Sequence, residues 1–183
     1  MPKVLFVHSA GPQGAGEGSS ALLAGLKASL SPETELVAPQ MPDPDNPMAE
    51  PWIAACRSAT SGVEDNLILV GHSLGGSIIL QTLAQFGLPT RLLGVVTLAS
   101  PFWNAPDWEV ESFALTEQDA GKLIGLPRLI LVQGDADQMV AADHPDRYKA
   151  LLPIAEIRRL AGVDHEAASA GPALAGIIAE IAP

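Results

Sequence analysis

The stretch LILVGHSLGGSIIL, Leu67 to Leu80, sets an apolar run directly against a second apolar run, with a polar pair, His72 and Ser73, held between glycines at the seam. Leu67 to Gly71 is apolar on both faces, as in a strand covered by helices on each side. Ser73 to Gly87 continues as an apolar helix. Gly71-His72-Ser73-Leu74-Gly75 fits G-x-S-x-G, the sharp strand-to-helix turn that lifts a serine hydroxyl above the C-terminal edge of a sheet. Residues two before and two after the serine must be small, because the strand end and the helix start nearly touch there. Gly71 and Gly75 meet that need, and Gly76 adds clearance. Ser73 then stands at the positive end of a helix, which favours a negative charge developing beside it. A serine in such a turn can also be an ordinary helix cap; the strand before it and the helix after it favour a nucleophile. His72 is too close along the chain, and points too differently, to be its base, and reads as loop support.

Outward from this seam the same alternation repeats. Short apolar runs at Val4 to His8, Glu35 to Ala38, Leu67 to Gly71, Gly94 to Ala99, Leu129 to Gln133 and Ile154 to Leu160 read as strands. Helical patterns lie between and after them, at Ser19 to Leu30, Met48 to Gly62, Ser73 to Gly87, Thr116 to Gly125, His144 to Leu152 and Gly171 to Ala182. The alternation predicts an α/β fold: a mostly parallel six-stranded sheet with right-handed crossovers and helices on both faces. Gly87-Leu88-Pro89 and Gly125-Leu126-Pro127 are stop signals for two of the helices. The Pro-rich run Ala38 to Pro47 is a rigid loop after the second strand. One domain over residues 1–183 is expected, since domains usually run to about 100–200 residues.

Composition narrows the function. Hydrophobic residues make up 48% and charged residues 17% of the 183, which suits a globular chain with a sizeable core. The net charge is −11, and the ten Lys and Arg are scattered singly apart from Arg158-Arg159. No basic stripe exists to neutralise phosphates, so nucleic acid is a poor partner. The single cysteine, Cys56, rules out an intrachain disulfide and reads as a small buried hydrophobe. Near the N-terminus the apolar run Val4 to Val7 is too short for a signal-peptide core or a membrane span. A cytoplasmic protein without a membrane partner is the expectation.

A serine nucleophile needs a general base, and the base needs an orienting acid. In a sheet of this kind the three follow in the order Ser, Asp or Glu, His, each at a strand's C-terminal end. The fifth strand runs into Gly134-Asp135-Ala136-Asp137-Gln138-Met139-Val140, and the last into Gly162-Val163-Asp164-His165. His165 is the candidate base. Asp135 and Asp137 both reach the right place for the acid; Asp164 is a weaker rival because adjacent side chains rarely face each other. His144 opens a polar helix and reads as ordinary. Metal binding by His8, His72, His144 and the Asp pair lacks the spacing of known sites, and no metal or organic cofactor is expected.

The oxyanion needs two backbone N–H donors. Leu74, after the nucleophile, offers one; the loop His8-Ser9-Ala10-Gly11 after the first strand offers the other, with Ala10 favoured and Ser9 as the fallback. The glycines of this loop, Gly14, Gly16 and Gly18, faintly suggest a phosphate loop, but G-x-G-x-x-G and Gly-Lys-Ser/Thr are both absent.

With VLFVHSAG, GHSLGG, ASPFWN, GDADQMV and GVDHE in place, nearly the whole chain resembles the α/β-hydrolase superfamily. Within it, SPFWN and the overall brevity resemble the small serine hydrolases of the YdeN and retinoblastoma-binding-protein-nine type. The resemblance implies a triad hydrolase with little or no lid and a strand order 2-1-3-4-5-6. Its common acid motif, G-x-x-D-x-x-V, falls on Asp137 rather than Asp135. Its oxyanion loop usually starts His-Gly, whereas this chain has His8-Ser9. Trp103, Trp108 and Phe113 gather between the fourth and fifth strands of a chain only 4% aromatic. They either wall a substrate pocket, with Ser9 as a further contact, or pin a long loop. The reading is therefore a serine hydrolase, carboxylesterase-like, acting on a small ester-type substrate. The alternative is a binding or scaffold protein on the same fold, since fold does not fix function.

Overall fold

The computed structural model describes residues 2–103, 105, 108 and 110–182. Six strands, β1 (Pro2–Val7), β2 (Glu35–Val37), β3 (Asn66–His72), β4 (Leu92–Leu98), β5 (Leu129–Gly134) and β6 (Glu156–Leu160), form one sheet. Every pairing is parallel and the order is β2-β1-β3-β4-β5-β6, as the resemblance implied. The chain has the α/β-hydrolase fold.

Strand alternation divides the core into two layers. Leu5, Val7, Leu67, Leu69, Val95, Leu129 and Leu131 face α2 (Ala49–Thr60), α3 (Leu74–Phe86), α4 (Glu117–Lys122) and α5 (His144–Leu151). Val4, Phe6, Ile68, Val70, Val96, Ile130 and Val132 face α1 (Ser20–Ser29) and α6 (Gly171–Ile181). Burial on both faces explains the near-continuous apolar runs, because a polar side chain on either side would lie unsatisfied against a helix. α3 is the most enclosed helix, with Leu74 through Ala84 all buried. Its Thr82 hydroxyl satisfies itself by donating to the Ile78 carbonyl at 2.7 Å. Cys56 is buried on α2, and burial pushes its thiol up to about 11, which leaves it inert.

The expected boundaries shift where local chemistry overrides apolarity. β4 begins at Leu92 rather than Gly94. β6 begins at Glu156, not Ile154, which is exposed in the turn before it. β6 is also not apolar on both faces: it is a half-exposed edge strand, where Glu156 pairs with Arg128, and Arg158 with Glu156 and Glu180. Charged side chains on an open edge discourage pairing with another chain. α4 stops at Lys122, yet Leu123 and Leu126 beyond it still pack into the core. A 3₁₀ turn at Glu111–Phe113 interrupts the loop after β4, held by Gln81 of α3 donating to the Ser112 and Ala114 carbonyls at 3.0 Å. Among the described residues no helix is long and apolar enough to cross a membrane.

Candidate active site

Ser73 sits between the end of β3 and the start of α3 with φ 51° and ψ −121°. A non-glycine residue with positive φ is uncommon and costs about 1–3 kcal/mol, so it persists only where its surroundings force it. Here the forcing is visible. The Ser73 amide donates to the Leu98 carbonyl at 2.8 Å, while the elbow closes to contact around it. A Cβ on Gly71 would lie 2.6 Å from the Gly75 carbonyl carbon, and one on Gly75 would lie 2.6 Å from the His8 carbonyl oxygen. Both neighbours are backbone and cannot yield.

Three distant side chains converge at this rim. The Ser73 Oγ lies 3.1 Å from His165 Nε2, and His165 Nδ1 lies 3.0 Å from Asp137 Oδ2. A carboxylate only accepts, so Nδ1 carries the proton and Nε2 is free to accept from the serine hydroxyl. The Asp137 side chain is fully withdrawn from solvent. Burial pushes its carboxyl up, but the Val140 amide, the His165 ring and the Met139 amide outweigh this and hold it below its ordinary value. Both amides donate to Oδ1 at 2.9 Å.

The rival acids are occupied elsewhere. Asp135 Oδ1 accepts from the Gly162 amide at 2.6 Å, which latches the loop after β5 to the loop after β6. Asp164 Oδ1 accepts from the Ala167 amide at 3.0 Å in a local turn.

Gln133, which the sequence reading passed over as part of a buried strand, adds a further donor to the acid. It is wholly buried in β5, and its amide nitrogen donates to Asp137 Oδ2 at 3.0 Å and to the Val140 carbonyl at 3.1 Å. A polar side chain at the C-terminal end of an otherwise apolar strand, four residues before the acid, was the available signal.

His72 is a linker. Its Nε2 reaches the His165 carbonyl oxygen at 2.8 Å and its Nδ1 reaches Ser19 Oγ at 2.8 Å. The carbonyl can only accept, so Nε2 carries the proton, Nδ1 accepts, and Ser19 donates. Ser19 Oγ in turn accepts from the Ser9 amide at 2.9 Å and from the Ser9 hydroxyl at 2.8 Å. The chain Ser9, Ser19, His72, His165 thus joins the loop after β1 to the loop after β6. It also engages the Ser9 amide, the fallback oxyanion donor. The Leu74 amide, at the first position of α3, has no acceptor within its helix, and Ala10 lines the cleft beside Ser73.

The cleft over Ser73 holds about 160 Å³ and is walled by Ala10, Leu74, Trp103, Trp108, Met139 and His165 among others, Ser9 included. Trp103 and Trp108 meet edge to face at 5.1 Å. Phe113 does not border the cleft; it packs behind Trp103 with ring centroids 4.9 Å apart. Trp103 is also anchored, its Nε1 donating to Ser77 Oγ at 2.7 Å, so the aromatic cluster both walls the cleft and pins its loop. His144 departs from the polar helix start expected of it: it is wholly buried, and its Nδ1 accepts from the Phe102 amide at 2.7 Å. Among the described residues no three His, Cys, Asp or Glu side chains group to hold a metal ion.

Comparison with known proteins places the chain in a family. Sequence comparison with curated proteins finds no match. Among solved structures, the ydeN gene product of B. subtilis superposes with a TM-score of 0.82 at 19% identity, over 99% of this chain and 98% of that one. A putative yden-like hydrolase from Pectobacterium atrosepticum gives 0.70 at 16% identity, over 98% and 90%. Est1E from Butyrivibrio proteoclasticus gives 0.71 at 13% identity, over 98% and 86%. At these identities the likeness speaks to the fold alone. Residues 26–170 match the family model described as serine hydrolase, most of the chain's length, and the chain therefore belongs to the serine hydrolase family, on an α/β-hydrolase fold.

Proposed function

We propose that Ser73, His165 and Asp137 act as a catalytic triad that cleaves small ester-type substrates through an acyl-enzyme. Ser73 Oγ attacks the carbonyl carbon while His165 Nε2 takes the hydroxyl proton, and Asp137 holds the imidazole and stabilises its charged form. The amides of Leu74 and Ala10 receive the oxyanion. The tetrahedral intermediate then expels the alcohol, which takes the proton from Nε2, and water releases the acid by the same steps in reverse roles. The scheme uses only side chains, backbone amides and water, within one domain spanning residues 1–183.

The observation that carries this reading is the unbroken run of contacts from Ser73 Oγ to His165 at 3.1 Å and from His165 to Asp137 at 3.0 Å. A fluorophosphonate probe tests it: labelling of the folded wild type, abolished in Ser73→Ala, is expected. A folded wild type that does not label would overturn it. The same variant separates catalysis from scaffolding, because a purely binding role would survive Ser73→Ala.

A further inference from the structure

The cleft over Ser73 continues past the imidazole. A second, more open hollow of about 560 Å³ is lined by Ala136, Gln138, Met139, Asp164, His165 and Glu166. Met139, His165 and Glu166 border both spaces. Met139 is 58% exposed, although its own amide is fixed to the Asp137 carboxylate at 2.9 Å. Its flexible thioether side chain gives an occupant of the hollow an apolar face to contact. Asp164 and Glu166 bring two exposed carboxylates to the same hollow, and among the described residues no Lys or Arg lines either space.

The chemistry decides which part of a substrate goes where. This step rests on the triad reading above. When the tetrahedral intermediate collapses, the bond between the carbonyl carbon and the leaving oxygen breaks, and the proton on His165 Nε2 passes to that oxygen. The leaving group must therefore lie on the His165 side, and the acyl group stays over Ser73 in the 160 Å³ space that Trp103 and Trp108 help to wall. We infer that the hollow around Met139 receives the leaving group, so that the protein selects short-chain acyl esters of bulky, apolar alcohols carrying no negative charge. Phosphate- or sulfonate-bearing leaving groups meet two carboxylates and no compensating cation.

The test compares butyrate esters that share one acyl group: the ethyl ester, the 2-(naphthyl)ethyl ester and its ring-sulfonated analogue. In the wild type kcat/KM should favour the naphthylethyl over the ethyl ester by about tenfold, the scale of discrimination available from apolar contact. The sulfonated ester should fall about tenfold below its neutral parent, as expected for like charges in partly screened contact. Met139→Ala should reduce the naphthylethyl preference several-fold through KM. Glu166→Lys should abolish or reverse the penalty on the sulfonate. Both side chains are exposed, and reading ratios between esters cancels any general loss of activity. Ratios near one, unmoved by either variant in a protein whose Ser73 labels with fluorophosphonate, would overturn the leaving-group assignment alone. Absence of labelling together with absence of turnover on all three esters would overturn the triad reading and this inference with it.

Discussion

Acidification should destabilise this protein through His72, and the size of the effect follows from the linker chain. Burial first, and the neighbouring His165 ring second, lower the His72 imidazole from 6.5 to about 4. Both of its nitrogens are committed in the neutral form, one donating to the His165 carbonyl and one accepting from Ser19. Below pH 6.5 the unfolded chain takes up a proton that the native state refuses until about pH 4. His72 therefore costs nothing above pH 6.5, and stability falls through the window down to about pH 4, where the loss levels off. At 1.36 kcal/mol for each pH unit, a gap of about 2.5 units corresponds to roughly 3 kcal/mol. His72→Gln supplies the comparison, since glutamine is polar but does not titrate. The variant should be the less stable protein near neutrality, having lost the acceptor for Ser19. Urea unfolding followed by circular dichroism from about pH 7.5 to about pH 4 should show the wild-type advantage shrinking by roughly 3 kcal/mol. The lowered pKa of His8 is common to both proteins and cancels. A difference that stays constant across that range would refute the reasoning, because it would mean that His72 takes up its proton alike in both states.

Three further outcomes are expected. Ser73→Gly should be more stable than Ser73→Ala by about 1 kcal/mol in chemical denaturation, because glycine alone relieves the positive φ. Gln133→Met, which keeps volume but deletes the donor to Asp137, should cost about 2 kcal/mol and raise the Asp137 pKa, moving the acid limb of the kcat profile to higher pH. Trp108→Ala should open the 160 Å³ cleft and shift the preferred acyl chain of p-nitrophenyl esters toward longer lengths, while Trp103→Ala, which also removes one of the hydrogen bonds of Ser77, should cost about 3–5 kcal/mol in stability.

The elbow was legible because its constraint is local: strand, glycine, serine, glycine and helix are contiguous, and the steric demand at Gly71 and Gly75 leaves a mark on residue type. The convergence of His165 and Asp137 on Ser73 was legible through order along the chain, since a parallel sheet delivers every strand's C-terminal end to one rim. What was hidden depends on side-chain direction. Position alone left Asp135 and Asp137 equal and the family motif favoured Asp137, but only the turn after β5 shows what each does, one facing Gly162 and the other facing His165. Ser19 acts through His72, 53 residues away, a relation that no local pattern encodes. His144 reads as an ordinary residue of a polar helix start, yet the packing of α5 turns it inward onto the loop after β4. The edge character of β6 was likewise hidden by its isoleucine and leucine.

The latch between Asp135 and Gly162 has a mechanical consequence. Together with the Ala136 amide bonded to the Val163 carbonyl at 3.1 Å, it stitches the two loops that carry Asp137 and His165 before those side chains themselves meet. Carboxylate and imidazole thus ride on a common platform, and thermal motion displaces them as a pair. The joint between the ring and the serine oxygen crosses from that platform to the elbow after β3.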